Sequence, residues 1–145
     1  MDQIELERRT LEFSKNLIRV IQKLPKNLIN YKLSSQVIDS GTSIGANYME
    51  ANSAESSKDF QHKINISYKE AKETRYWLDL LIFANPEYLN DLSPLRQESD
   101  EFTKIFGKAV WSCKRNEKCK MDLDLHDFDH GFTGLDCFSV IQDLD

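Results

Sequence analysis

Residues 56–83 read SSKDFQHKINISYKEAKETRYWLDLLIF, and this stretch decides the fold. Phe60, Ile64, Ser67, Ala71, Thr74, Leu78 and Leu81 recur at three- and four-residue steps. Each residue of a helix turns about 100°, so the seven fall within about one third of its circumference. Ser56 followed three residues later by Asp59 is a variant of the capping box. The spacing predicts a helix that opens at Ser56 and runs to about Phe83, with that stripe turned to a core.

Upstream, residues 27–55 place Ser34, Val37, Gly41, Ile44, Gly45 and Tyr48 on one face and Lys32, Gln36, Asp39, Ser43 and Glu50 on the other. Tyr31, Ile38, Thr42 and Met49 form a shoulder that widens the apolar zone. Two glycines inside a helix each cost about 1 kcal/mol relative to Ala, which the close approach of another backbone would offset. Residues 4–24 form a further helix, with Leu11, Leu17, Ile18, Ile21 and Leu24 read as its inner face and Pro25 as its stop. Downstream, Ser93 is read as N-cap and Pro94 as the first residue of a fourth helix. Its inner face carries Leu95, Ser99, Phe102, Phe106, Ala109, Val110 and Cys113, and it is expected to fray near Asn116.

Strand signals are nearly absent, since alternation is confined to Asp122-Leu123-Asp124-Leu125 and no Asn-Gly or Asp-Gly turn occurs. Four comparable helices with short connections predict an all-α fold, an antiparallel up-down-up-down four-helix bundle. The bundle is assigned to residues 1–118 and a short acidic C-terminal tail or extension to 119–145.

Charge divides the same way. Residues 121–145 hold Asp122, Asp124, Asp127, Asp129, Asp136, Asp143 and Asp145 with no Lys or Arg, leaving 19 basic against 17 acidic residues in the rest. The formal charge of −5 therefore misdescribes the body, whose net is +2. No apolar stretch approaches the roughly 20 residues of a membrane span, and Asp2, Glu5 and Glu7 stand where a signal sequence would be basic, so a cytoplasmic protein is expected. Cys113, Cys119 and Cys137 are an odd set confined to the last third and are read as reduced thiols.

Two features exceed what a monomeric bundle needs. Tyr76, Trp77, Leu80 and Phe83 point away from the stripe of Leu78 and Leu81, so the end of the third helix is apolar nearly all round. With the surplus on the second helix, this predicts a homo-oligomer whose interface draws on Gly41, Gly45, Met49, Tyr76, Trp77, Leu80 and Phe83. Secondly, Lys58, His62, Lys69 and Lys72 share one outer face, and Lys104, Lys108, Trp111, Arg115 and Lys118 share another. Cations interleaved with an aromatic suit phosphate neutralisation and base stacking, so RNA or DNA is the candidate ligand. The bland reading is a solvated surface diluted by Glu55, Glu70, Glu73, Glu101 and Glu117.

Other chemistry finds little support. Cys113, Cys119, His126, His130 and Cys137 lie close in sequence but lack a Cys-x-x-Cys pair, and Asp127-Phe128-Asp129-His130-Gly131 lacks the later acids of an EF-hand loop. A solvated tail pinned by Phe128, Phe132, Leu135 and Phe138 is the better reading. Glu70 and Glu73 are without the Glu-x-x-His of di-iron bundles, and three His with no phosphate loop or nucleophile elbow predict neither enzyme, metal nor cofactor.

Arg9-Thr10-Leu11-Glu12-Phe13, Leu24-Pro25-Lys26, the run Ser40-Gly41-Thr42-Ser43-Ile44-Gly45-Ala46-Asn47-Tyr48-Met49-Glu50-Ala51 and Lys69-Glu70-Ala71-Lys72-Glu73-Thr74-Arg75-Tyr76-Trp77-Leu78 carry a family resemblance over about residues 5–118. The chain resembles the bacterial four-helix-bundle proteins first noticed as reading frames in intervening sequences of 23S rRNA genes. These are related to the accessory variability determinant proteins of diversity-generating retroelements. The resemblance implies a four-helix protomer, a closed ring, commonly a pentamer, and kinship with bundles that work with RNA and a reverse transcriptase. It implies close helix contacts at Gly41, Ile44, Gly45, Ala46 and Asn47, with Tyr76, Trp77 and Leu78 in core or interface. Residues 119–145 inherit nothing from it. The expected function is a non-catalytic oligomeric scaffold or adaptor, pentamer favoured. The alternative is a protein-interaction module whose acidic tail docks a protein partner or masks the basic surface.

Overall fold

Three helices begin where a small polar side chain can accept one of the first free N–H groups. Asp2 accepts from the Glu5 amide at 2.7 Å and opens α1 (Gln3–Lys23); Asn27 accepts from the Asn30 amide at 2.9 Å and opens α2 (Leu28–Asn52). Ser56 accepts from the Asp59 amide at 3.1 Å and opens α3 (Ser57–Ala84), as the sequence predicts. A 3-10 turn, Pro86–Tyr88, leads into α4 (Leu89–Leu123). The computed structural model describes residues 1–123, with side chains to residue 116. The acidic sequence beyond Leu123, with His126, His130, Cys137 and the stretch 127–131, lies outside the described residues, as does the side chain of Cys119, whereas Cys113 is buried.

Cross-helix pairs fix the packing directions. Along α1 and α2, Thr10 meets Gly45 and Leu17 meets Gly41; along α2 and α3, Ser40 meets Thr74 and Ile44 meets Ser67; along α3 and α4, Tyr68 meets Gly107 and Arg75 meets Asp100. In each series one residue number rises as its partner falls, so sequential helices are antiparallel and the bundle runs up-down-up-down. The α2–α3 and α3–α4 pairings are the most extensive, whereas α1 and α4 leave between them an open groove of about 640 Å³.

The α2 glycines explain the tightness of the α1–α2 pairing. A Cβ on Gly41 would stand 2.4 Å from Leu17 Cδ2, and one on Gly45 would stand 2.9 Å from Thr10 Oγ1. Thr10 is buried there because its hydroxyl donates to the Glu7 carbonyl at 2.9 Å. Around these contacts Phe13, Leu17, Ile44, Tyr48, Phe60, Ile64, Leu78, Phe102 and Phe106 form one continuous core. Burial pushes the Tyr48 phenol up to about 12, so it stays protonated at physiological pH.

Three expectations are corrected. The inner face of α1 is Leu6, Thr10, Phe13, Leu17 and then Leu24, while Leu11 and Ile18 are exposed and Ile21 is half-buried. Helix α4 begins at Leu89, so Ser93 is no cap and Pro94 sits inside the helix, lining the α1–α4 groove. Nor does α4 fray near Asn116: it continues to Leu123. The predicted inner faces of α3 and α4 are buried at every named residue, with Leu92 and Ile105 added on α4.

Candidate nucleic-acid interface

Along the α3–α4 seam, complementary charges zip the upper half. Arg96 donates to Asp79 at 3.0 Å, Arg75 donates to Asp100 at 2.7 Å, and Lys104 reaches Asp100 at 3.1 Å. The hydrogen bond from Arg75, then that from Lys104, holds the Asp100 carboxyl below the usual carboxylate range. Lower down the pairing stops. Tyr68 lies across Gly107, whose absent side chain leaves room for the ring 3.1 Å from where a Cβ would be.

Around that ring the predicted cations are solvent-facing. Lys58, Lys69 and Lys72 are exposed on α3, and Lys104, Lys108 and Arg115 are exposed on α4. Lys72 stands over Tyr68 at 5.5 Å from the ring centroid, and Arg115 over Trp111 at 4.8 Å. Trp111 itself is 60% exposed. Lys58, Lys69, Lys72, Lys108 and Arg115 make no ion pair among the described residues. Lys104 differs: Glu101 at 2.9 Å and Asp100 neutralise it, and their hydrogen bonds, Glu101 first, raise its pKa. The side chain of Lys118 lies outside the described ones.

The face thus offers unpaired positive charge beside two ring faces. Tyr68, absent from the sequence-predicted set, stands four residues before Lys72, and that i,i+4 spacing is the signal that could have found it. Lys114, also exposed, stands seven residues after Gly107 and so on the same side of α4.

The predicted interface residues divide. Gly41 and Gly45 are covered by α1 of the same chain, and Trp77 and Leu80 are half-buried, Trp77 donating to Glu73 at 3.0 Å. Tyr76, Phe83 and Met49 remain exposed, at 58%, 86% and 59%. Ile4, Leu11 and Ile18, exposed and outside the predicted interface set, repeat every seven residues along the outer side of α1. Leu28, Ile29 and Tyr31 at the start of α2 are exposed too.

No group of His, Cys, Asp and Glu side chains is placed to hold a metal ion among the described residues, and no helix there is long and apolar enough to cross a membrane.

The profile of the family described as "23S rRNA-intervening sequence protein" matches residues 2–108. Among solved structures, the chain is similar to a protein of unknown function from the S23 ribosomal protein family of Bacteroides thetaiotaomicron. The two are 33% identical, with a TM-score of 0.63, and the alignment covers 72% of this chain and 96% of that one. No curated protein matches the chain.

Proposed function

The chain belongs to the 23S rRNA-intervening sequence protein family, and from that premise we propose that it is a non-catalytic oligomeric scaffold or adaptor that engages structured RNA or DNA. The observation that carries this reading is the set of unpaired cations beside Tyr68 and Trp111. Such a face neutralises phosphates without reading sequence, while an exposed indole stacks on a base. The names of the family and of the Bacteroides protein refer to 23S rRNA and to a ribosomal protein family, which accords with RNA as the first ligand to test.

The test is titration of a structured RNA with the full chain across a range of salt concentrations. Each phosphate contact contributes about 0.7–0.9 to the slope of log affinity against log salt. Replacing Lys69, Lys108 and Arg115 together with Gln is expected to flatten that slope by about 2–3 and to weaken binding roughly 100-fold at low salt. An unchanged slope and affinity would remove these residues from the binding surface.

Self-association is the second half of the reading, supported by exposed Tyr76, Phe83 and Met49 and by the Ile4, Leu11 and Ile18 stripe. A closed ring, a homopentamer, would cover apolar faces on both sides of each protomer. Native mass spectrometry is expected to give five times the 16.9 kDa chain mass. A monomer would mean that these side chains stay wet.

A further inference from the structure

The lower outer face of α3 and α4 gathers exposed cations, with the exposed acids Glu55 and Asp59 at its edge near Lys58. Lys58 and Lys69 on α3 and Lys108, Lys114 and Arg115 on α4 are exposed, and none makes an ion pair among the described residues. Helix α4 then delivers the chain, at Leu123, to the end of this face. The sequence beyond Leu123 has the opposite sign: residues 124–145 contain Asp124, Asp127, Asp129, Asp136, Asp143 and Asp145 and no Lys or Arg. Between the acids stand Phe128, Phe132, Leu135 and Phe138, apolar side chains of the kind that cover exposed rings.

We propose that residues 124–145 dock back on the Lys58–Lys108–Arg115 face and compete with nucleic acid for it, so that the protein carries its own inhibitor. This rests on the reading of that face as the nucleic-acid surface. Length permits it. Trp111 lies twelve residues from Leu123, about 18 Å along the helix axis, and Lys104 lies about 28 Å away. A segment of 22 residues spans about 70 Å when extended, enough to reverse direction and cover the face. Tethering supplies an effective concentration in the millimolar range, so a contact far weaker than a bound RNA still occupies the site when RNA is scarce. The attraction is between solvent-exposed charges, so salt releases it. An occupied face presents carboxylates to an incoming phosphate backbone, and only a polyanion denser than the tail displaces it.

The experiment has two arms that fail separately. Zero-length carbodiimide crosslinking of the full chain, mapped by mass spectrometry, is expected to join tail aspartates to Lys58, Lys108 or Lys114 in preference to Lys15, Lys26 and Lys32. That preference is expected to vanish in salt on the order of 0.5 M, where the screening length is short. Crosslinks spread evenly over both groups would overturn the proposal whether or not RNA binds.

The second arm replaces the six tail aspartates with Asn in the full chain. Affinity for a structured RNA at low salt is expected to rise on the order of 10-fold, with no gain at high salt. Equal RNA affinity of the two chains would sink the competition while leaving the nucleic-acid surface intact. Selective crosslinks in a chain that binds no RNA in either form would retain the docking and remove the surface's proposed ligand.

Discussion

Phe102→Ala is expected to cost about 3–5 kcal/mol of folding stability, the range for a fully buried aromatic. Phe102 is completely buried, meets Phe13 edge-on with ring centroids 5.3 Å apart, and lies 6.2 Å from Phe106. Its ring also lies 5.3 Å beneath the Arg9 guanidinium, which donates to Glu98 at 2.8 Å. Truncation therefore opens a cavity where α1 and α4 meet, along a pairing already made slight by the open groove beside it. There is little on that side to collapse into the void, which favours the upper part of the range.

Thermal unfolding followed by circular dichroism should show the midpoint falling by roughly 10–20 °C. Leu28→Ala makes the internal comparison, because that side chain is 70% exposed and outside the proposed interface, so its loss should move stability by no more than about 0.5 kcal/mol. If Phe102→Ala unfolds within a degree or two of the parent, the contact between α1 and α4 carries little of the bundle's stability.

The sequence exposed some helices better than others, for identifiable reasons. On α3 every inward position is apolar or small, so the 3.6-residue period is unbroken and Phe60 through Leu81 could be named in advance. On α1 the inward set within the helix is only Leu6, Thr10, Phe13 and Leu17, and the Thr10 hydroxyl is satisfied within its own helix and packs on Gly45. Meanwhile Leu11 and Ile18, with Ile4, form a competing apolar stripe on the outer side. Which stripe faces inward depends on the glycines of α2, more than twenty residues away. Ser93-Pro94 looks like a helix start by local chemistry, yet the chain has already turned at Pro86 and Leu92 is already buried as part of the core. Asn116 is a weak helix breaker, and the helix passes it.

The candidate interface was legible as a list of cations and an indole. What one dimension hides is which cations are already spent. Asp100 draws in Arg75 from another helix as well as Lys104 from its own, and that pairing is set by the α3–α4 register. Discounting Lys104 therefore drew on the packed structure, whereas Tyr68 was open to discovery through its i,i+4 spacing to Lys72.

At the end of the bundle where the α1–α2 and α3–α4 connections meet, two buried asparagines bond to each other. Asn30 Nδ2 donates to Asn85 Oδ1 and Asn85 Nδ2 donates to Asn30 Oδ1, each at 2.8 Å, with Asn30 and Asn85 only 4% and 2% exposed. Each amide spends its second N–H on a carbonyl at a helix end: Asn30 on Pro25 at 2.8 Å, Asn85 on Leu81 at 2.9 Å. One reciprocal pair thus ties the exit of α1, the entry of α2 and the end of α3. Asn30→Leu leaves three groups without a partner: Asn85 Oδ1, one Asn85 Nδ2–H and the part-buried Pro25 carbonyl. At about 1–3 kcal/mol for each buried group left unsatisfied, a loss of roughly 3–6 kcal/mol is expected. Asn85→Leu should cost a similar amount. In the double variant the side-chain partners are removed together, so its loss should fall short of the summed single losses by about 1–3 kcal/mol. Chemical denaturation of the four proteins measures that coupling directly. Strict additivity would mean that the two amides act independently, and that the helix-end carbonyls, rather than the pair, make these residues matter.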